Sequence, residues 1–180
     1  MSRREGIRAL LAAHRPRDDR EAGFVEAMIA LLEVGGDPLS RDLFTPGHFT
    51  ASAFVTSPDE RSLMLVFHGK LHRWLQPGGH IDPDDVDLFS AVRREVAEEV
   101  GITDVEVVGG LFDVDIHDIP PLKGDPAHRH YDLRVLLRSR TTAFRAGSDA
   151  RAARWVPLGE VDPVESDESV MRAVRKIQAD

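Results

Sequence analysis

The chain is expected to fold as an α/β/α sandwich around a mixed β-sheet, with a helical extension at its N-terminal end. Three observations predict this. Apolar residues recur at helical spacing within the first 36 residues, the period shortens to two from Phe49 onward, and one acidic amphipathic helix interrupts the strands at 87–100. At 180 residues, 42% of them hydrophobic and 30% charged, the chain has the apolar content for one substantial core.

Each element has its own local reason. Segments 3–13 and 18–34 read as helices. In the second, Phe24, Met28, Leu31 and Leu32 share a face, and Gly35-Gly36 supplies a stop. Residues 1–36 are therefore an extension packed on the core, and 37–180 the main domain. The stretches 49–56 and 62–68 read as strands joined by a turn at Ser57-Pro58-Asp59. After a short segment at 72–76, Pro77-Gly78-Gly79 marks a tight turn. Helix 87–100 takes Asp87 as its N-cap and Gly101 as its stop. Strands follow at 105–116, 130–138 and 153–156, with a loop, IPPLKGDPA, before the second of them. A helix near 167–178 closes the chain, with Val170, Val174 and Ile177 on one face and Ser166 as its cap. Trp74 and Trp155 read as packing residues, and His68 and His72 as surface residues flanking a turn.

The bulk chemistry excludes several classes. A formal charge of −8 argues against a partner such as duplex nucleic acid, which is met by basic surfaces. It leaves room for a small phosphorylated substrate, because divalent cations can stand between an acidic site and an anion. The chain has no cysteine, so a thiolate nucleophile or a cysteine-ligated zinc site is ruled out. The basic N-terminus has an apolar stretch too short and broken for a signal peptide, and no segment reaches membrane-spanning length, so a cytoplasmic location without membrane contact is expected. The N-terminal helical pair is a candidate surface for a homodimer.

The chemistry concentrates in PGGHIDPDDVDLFSAVRREVAEEVGI, residues 77–102. Glu95, Glu98 and Glu99 stand at i, i+3 and i+4, so three carboxylates share one helical face beside an apolar stripe of Phe89, Val92, Val96 and Val100. A solvated surface with i,i+4 ion pairs would account for the helix alone. A glycine turn immediately upstream favours a site, because bare backbone can approach a ligand there.

Residues 79–102 resemble the Nudix box. That pattern runs Gly, five residues, Glu, seven residues, then Arg-Glu-aliphatic-any-Glu-Glu-any-Gly-aliphatic. Its second half is intact from Arg94 through Glu95, Glu98, Glu99 and Gly101 to Ile102. The first half departs: Asp85 stands where the pattern has Glu, and eight residues separate it from Arg94. A looser resemblance extends over about 48–160. The resemblance implies a Nudix hydrolase that cleaves a phosphoanhydride bond of a nucleoside diphosphate linked to another moiety. It implies Mg²⁺, with Mn²⁺ as a substitute, held by Glu95, Glu98, Glu99 and the Gly78 carbonyl, with Glu98, Glu95 and Arg94 as catalytic residues. The alternatives are a catalytically inactive module of the same fold and a decapping-type enzyme, the latter disfavoured by charge. An isopentenyl-diphosphate isomerase relies on a cysteine that is absent here.

A second cluster lies on the strand from residue 128. Period two sets Tyr131, Leu133, Val135 and Leu137 against His128, His130, Asp132 and Arg134, with His117 and Lys123 upstream in sequence. Three readings of the polar face stay open. It is a solvated or covered strand face, a substrate-binding wall of His128, His130 and Arg134, or a His/His/Asp transition-metal site. His80, immediately after the glycine turn, is a separate candidate substrate contact.

Overall fold

The computed structural model describes residues 1–122, 124–147 and 152–179; Lys123 lies outside them. The element order is α1 (Arg3–Ala13), α2 (Asp19–Leu31), β1 (His48–Thr56), β2 (Ser62–His68), β3 (Arg73–Leu75), β4 (Gly78–His80), α3 (Leu88–Val100), β5 (Val105–Ile119), β6 (His128–Ser139), β7 (Ala153–Pro157), a 3₁₀ turn at Leu158–Glu160, and α4 (Glu168–Ala179). The strands form one seven-stranded sheet in the order β3-β2-β1-β6-β5, with β4 paired to β1 and β7 to β2. The α/β class and the N-terminal helices are as the sequence predicts.

The residues group into two compact units. One comprises Met1–Ala51, Gly79–Ala91 and Gly109–Val135; the other comprises Ser52–Gly78, Val92–Val108 and Leu136–Asp180.

In the first unit, helix α1 begins with a reciprocal cap. Ser2 accepts the Glu5 amide at 3.2 Å, and the Glu5 carboxylate accepts the Ser2 amide at 2.6 Å. Asp18 caps α2 by accepting the Glu21 amide at 2.7 Å. The helix stops at Leu31 instead of 34, because residues 32–34 tighten into i→i+3 bonds such as Glu33 N to Ala30 O. Ile7, Leu11, Met28 and Leu31 are fully buried, and His14 links α1 to its surroundings, one ring nitrogen on Leu111 O at 2.9 Å and the other on Glu21 at 2.8 Å.

In the second unit, β2 is the central strand. It pairs antiparallel with β3 through Phe67↔Trp74, and with β7 through Met64↔Trp155. Both tryptophans pack at this edge, Trp74 under the Arg154 guanidinium at 4.0 Å and Trp155 donating to Thr142 O at 2.9 Å. Helix α4 is capped by Asp167, which accepts the Val170 amide at 2.9 Å. Ser166, the expected cap, instead donates its hydroxyl to Trp74 O at 2.7 Å, so its side chain anchors β3 and is not available to the helix.

Candidate functional site

The acidic helix α3 forms over nearly the residues predicted. Asp87 accepts the Ser90 amide at 2.7 Å and starts it, as an N-cap should. Val92, Val96 and Val100 are completely buried, as are Leu88 and Ala91, whereas Phe89 is only half-buried. Burying three valines stabilises by about 1.5–3 kcal/mol each, against roughly 0.2–0.5 kcal/mol for each like-charged pair on the polar side. The apolar stripe therefore holds the glutamates together despite their repulsion.

Arg94 holds two of the carboxylates in place. Its guanidinium donates to Glu95 at 2.9 Å and to Glu98 at 3.3 Å. The Glu95 side chain is 13% exposed and that of Glu98 60%, so Glu98 is the one presented to solvent. Glu99 is tied to the glycine turn, where Gly78 N donates to its carboxylate at 3.2 Å. The turn and the helix, linked in sequence only by proximity, are thus joined by a hydrogen bond. The turn itself is more ordered than expected: Gly78–His80 is a short strand, and Pro77 O accepts from Ala53 N at 2.9 Å.

The C-terminal end of α3 is held by the expected stop, Gly101, and by two residues no sequence pattern singled out, Arg145 and Gly147. Gly101, at φ +67°, donates to Ala97 O at 3.0 Å. Arg145 N then caps Val100 O at 2.9 Å and Gly147 N caps Glu99 O at 2.7 Å. A Cβ at Gly147 would fall on the Glu98 carbonyl oxygen, so the backbone approach there depends on glycine.

Asp85, the residue at the altered box position, is buried at 6% exposure. Its carboxylate accepts the Asp82 amide at 2.8 Å, closing the loop that Arg3 also binds through Asp82 O at 2.8 Å. Asp85 shapes the loop.

The second cluster is larger than the strand pattern suggested. His48, His80, His117, His128 and His130 come together in the first unit, with ring centroids 4.9–5.5 Å apart for the pairs His48–His130, His48–His128, His80–His130 and His117–His130. Burial, then the neighbouring positive charges chiefly of the other histidines, pushes His130 down to about 2 and His80 down to about 4. Burial also lowers His48. The rings of His130 and His80 are therefore neutral at physiological pH. His48 escaped the sequence reading, although a signal was present: His48, Thr50 and Ser52 alternate with Phe49, Ala51 and Ala53, a polar row on an otherwise apolar strand.

Arg134, expected to contact substrate, is a buried strut. Only 2% exposed, its guanidinium reaches Asp132 at 2.8 Å and both Asp113 and Asp115 at 3.3 Å. Burial alone would lower its pKa, but the three carboxylates outweigh this and raise it. Asp132 also accepts the Thr50 hydroxyl at 3.0 Å. The solvated-face reading therefore fails at Asp132 and Arg134, which are as buried as the apolar residues Tyr131, Leu133 and Val135 opposite.

An α/β sheet protein with a glutamate-bearing helix locked to a glycine turn defines a class, and the comparisons with known proteins give the family. The family model for the NUDIX domain matches residues 46–175. The chain belongs to the NUDIX family. An RNA pyrophosphohydrolase of Caulobacter vibrioides is 38% identical over 78 residues, 39% of this chain and 42% of that protein. The chain thus spans less than half the length of this curated relative. A NUDIX-family hydrolase of Clostridium perfringens superposes with a TM-score of 0.57 at 20% identity, over 73% of this chain and 97% of the other. A Caenorhabditis elegans Ap4A hydrolase gives a TM-score of 0.54 at 20% identity, over 73% and 95%. These structures share the fold.

Proposed function

We propose that this chain is a divalent-metal-dependent hydrolase of a phosphoanhydride bond in a nucleoside diphosphate linked to a second group. The observation that carries the reading is the acidic face of α3, with Arg94 bridging Glu95 and Glu98 while Gly78 binds Glu99. Three carboxylates beside a glycine turn form an all-oxygen donor set that fits a hard cation, Mg²⁺ with Mn²⁺ as a substitute. In this reading Glu95, Glu98, Glu99 and the Gly78 carbonyl hold it. When bound, the metal supplies positive charge to the diphosphate and acidifies the attacking water.

The protein's own groups do the rest. Arg94 positions the Glu95 and Glu98 carboxylates and offsets their repulsion. Glu98, 60% exposed, is the carboxylate that takes the proton from water. His80, His128 and His130 are ligand-contacting residues, and Arg134 holds the strand that carries two of them. Among the described residues no helix is long and apolar enough to cross a membrane, and a cytoplasmic location is part of the proposal. So is a homodimer through α1 and α2, which sedimentation would report.

A hydrolysis screen with Mg²⁺ tests the reading. The panel holds nucleoside triphosphates, nucleotide sugars, ADP-ribose and dinucleoside polyphosphates, with a 5′-triphosphorylated RNA included because of the name of the Caulobacter relative. Turnover of a small substrate that falls by at least about two orders of magnitude in Glu99→Gln is the expected outcome, the scale for losing a key charge-stabilising group. Undiminished turnover in a folded Glu99→Gln variant would overturn the metal assignment. Cleavage of the RNA alone would move the substrate from small molecule to polymer.

A further inference from the structure

The histidine group has a geometry of its own. Among the described residues, the side chains whose ligand atoms already converge are His48, His128 and His130, each offering one ring nitrogen within 4.8 Å of the others. Two of the rings are oriented by backbone carbonyls. Nδ1 of His48 donates to Leu43 O at 3.1 Å, and Nδ1 of His128 donates to Pro126 O at 2.8 Å. A carbonyl can only accept, so both rings carry their lone pair on Nε2. Carbonyl-anchored imidazoles of this kind are the outer-shell arrangement seen around metal-bound histidines.

The Nε2 of His48 supplies the independent observation. The residue is 1% exposed, and among the described residues this nitrogen has no hydrogen-bond partner. A buried acceptor left unsatisfied costs about 1–3 kcal/mol, which a bound ligand would offset. The neighbouring Nε2 atoms of His128 and His130 lie 3.2 Å apart, where the His130 Nε2–H donates to His128 Nε2, a hydrogen bond that a shared metal replaces as that proton moves to His130 Nδ1. Nitrogens bound tetrahedrally at about 2.0–2.1 Å stand roughly 3.3 Å from one another, so that pair is already at ligand spacing.

We infer that His48, His128 and His130 bind one late first-row transition cation of the Zn²⁺ class, with solvent or a ligand oxygen completing its coordination. Three imidazoles suit Zn²⁺ and its neighbours, whereas Mg²⁺ prefers oxygen. Asp132 is no member of the set, because Arg134 and Thr50 share its carboxylate. His117 stands aside as well, facing Asp115 at 3.4 Å. This site shares no residue with the glutamates of α3; His128 and His130 are also among the proposed ligand contacts, so the test reads metal binding alone and its failure is distinct from a failure of the proposed hydrolysis.

The test is calorimetric titration of the chelator-treated full chain with ZnCl₂, in a Glu98→Gln/Glu99→Gln background that removes the carboxylate site. One equivalent of Zn²⁺ should bind. His128→Ala and His130→Ala should each weaken it by at least about a hundredfold, the upper end of what losing even an outer-shell partner costs. Both residues are only partly buried, and matching melting curves without metal confirm that the variants fold. Unchanged affinity in both histidine variants would overturn the site. Nitrogen-15 imidazole spectra give a second readout, in which Zn²⁺ should shift the Nε2 resonances of His48, His128 and His130. If inorganic phosphate shifts those resonances and Zn²⁺ does not, the group is an anion-binding wall and the metal assignment falls.

Discussion

Arg134 is the residue whose environment changes its meaning most. Alternation along the strand correctly separated it from Leu133 and Val135, but alternation says nothing about what covers the second face. Here that face meets Asp113 and Asp115, whose own strand gives no hint of the pairing in sequence. Arg134→Met should destabilise the fold by about 3–5 kcal/mol in denaturant titration, because it strands buried carboxylates without their cation. Arg134→Lys should recover little, since one ammonium cannot reach three carboxylates as the planar fork does. A raised KM with unchanged stability would instead return Arg134 to the role of substrate contact. His48 shows the same limit of single-strand reading. Its polar row was visible, but the partners that give it a role lie some eighty positions away in sequence.

At the level of elements, legibility followed length. Helix α3, thirteen residues long, declared itself through its apolar period, its Asp87 cap and its Gly101 stop. The three-residue strand Gly78–His80 is too short to show a period, and its glycines read as a turn. Asp167 and Ser166 are adjacent and both good caps, so only the tertiary hydrogen bond to Trp74 O decides between them. The segment ending at Gly147 had no pattern at all, yet it satisfies two of the last carbonyls of the box helix. Gly147→Ala should cost about 1–3 kcal/mol, the range for overpacking a close contact, and should lower turnover as Glu98 and Glu99 shift. Gly101→Ala should cost about 1 kcal/mol, the ordinary penalty for a side chain in the left-handed region. Equal melting temperatures for Gly147→Ala and the parent would show that the helix end relaxes without strain.

For the molecule as a whole, metal and stability are linked. A ligand that binds only the folded state at a hundred times its Kd adds about 2.7 kcal/mol. For a chain of this length that is a rise in Tm of roughly 5–10 °C. Zn²⁺ should produce this rise in the Glu98→Gln/Glu99→Gln protein, and Mg²⁺ should not; the same rise with either ion would point to nonspecific neutralisation of a chain carrying −8 formal charges. The closure at Gly147 bears on how such a chain tolerates change over its full length. In a saturation library selected for activity, position 147 should be as intolerant as the glutamates it supports. A survey of natural variants confined to the recognised motif would then pass over inactivating changes nearly fifty residues downstream.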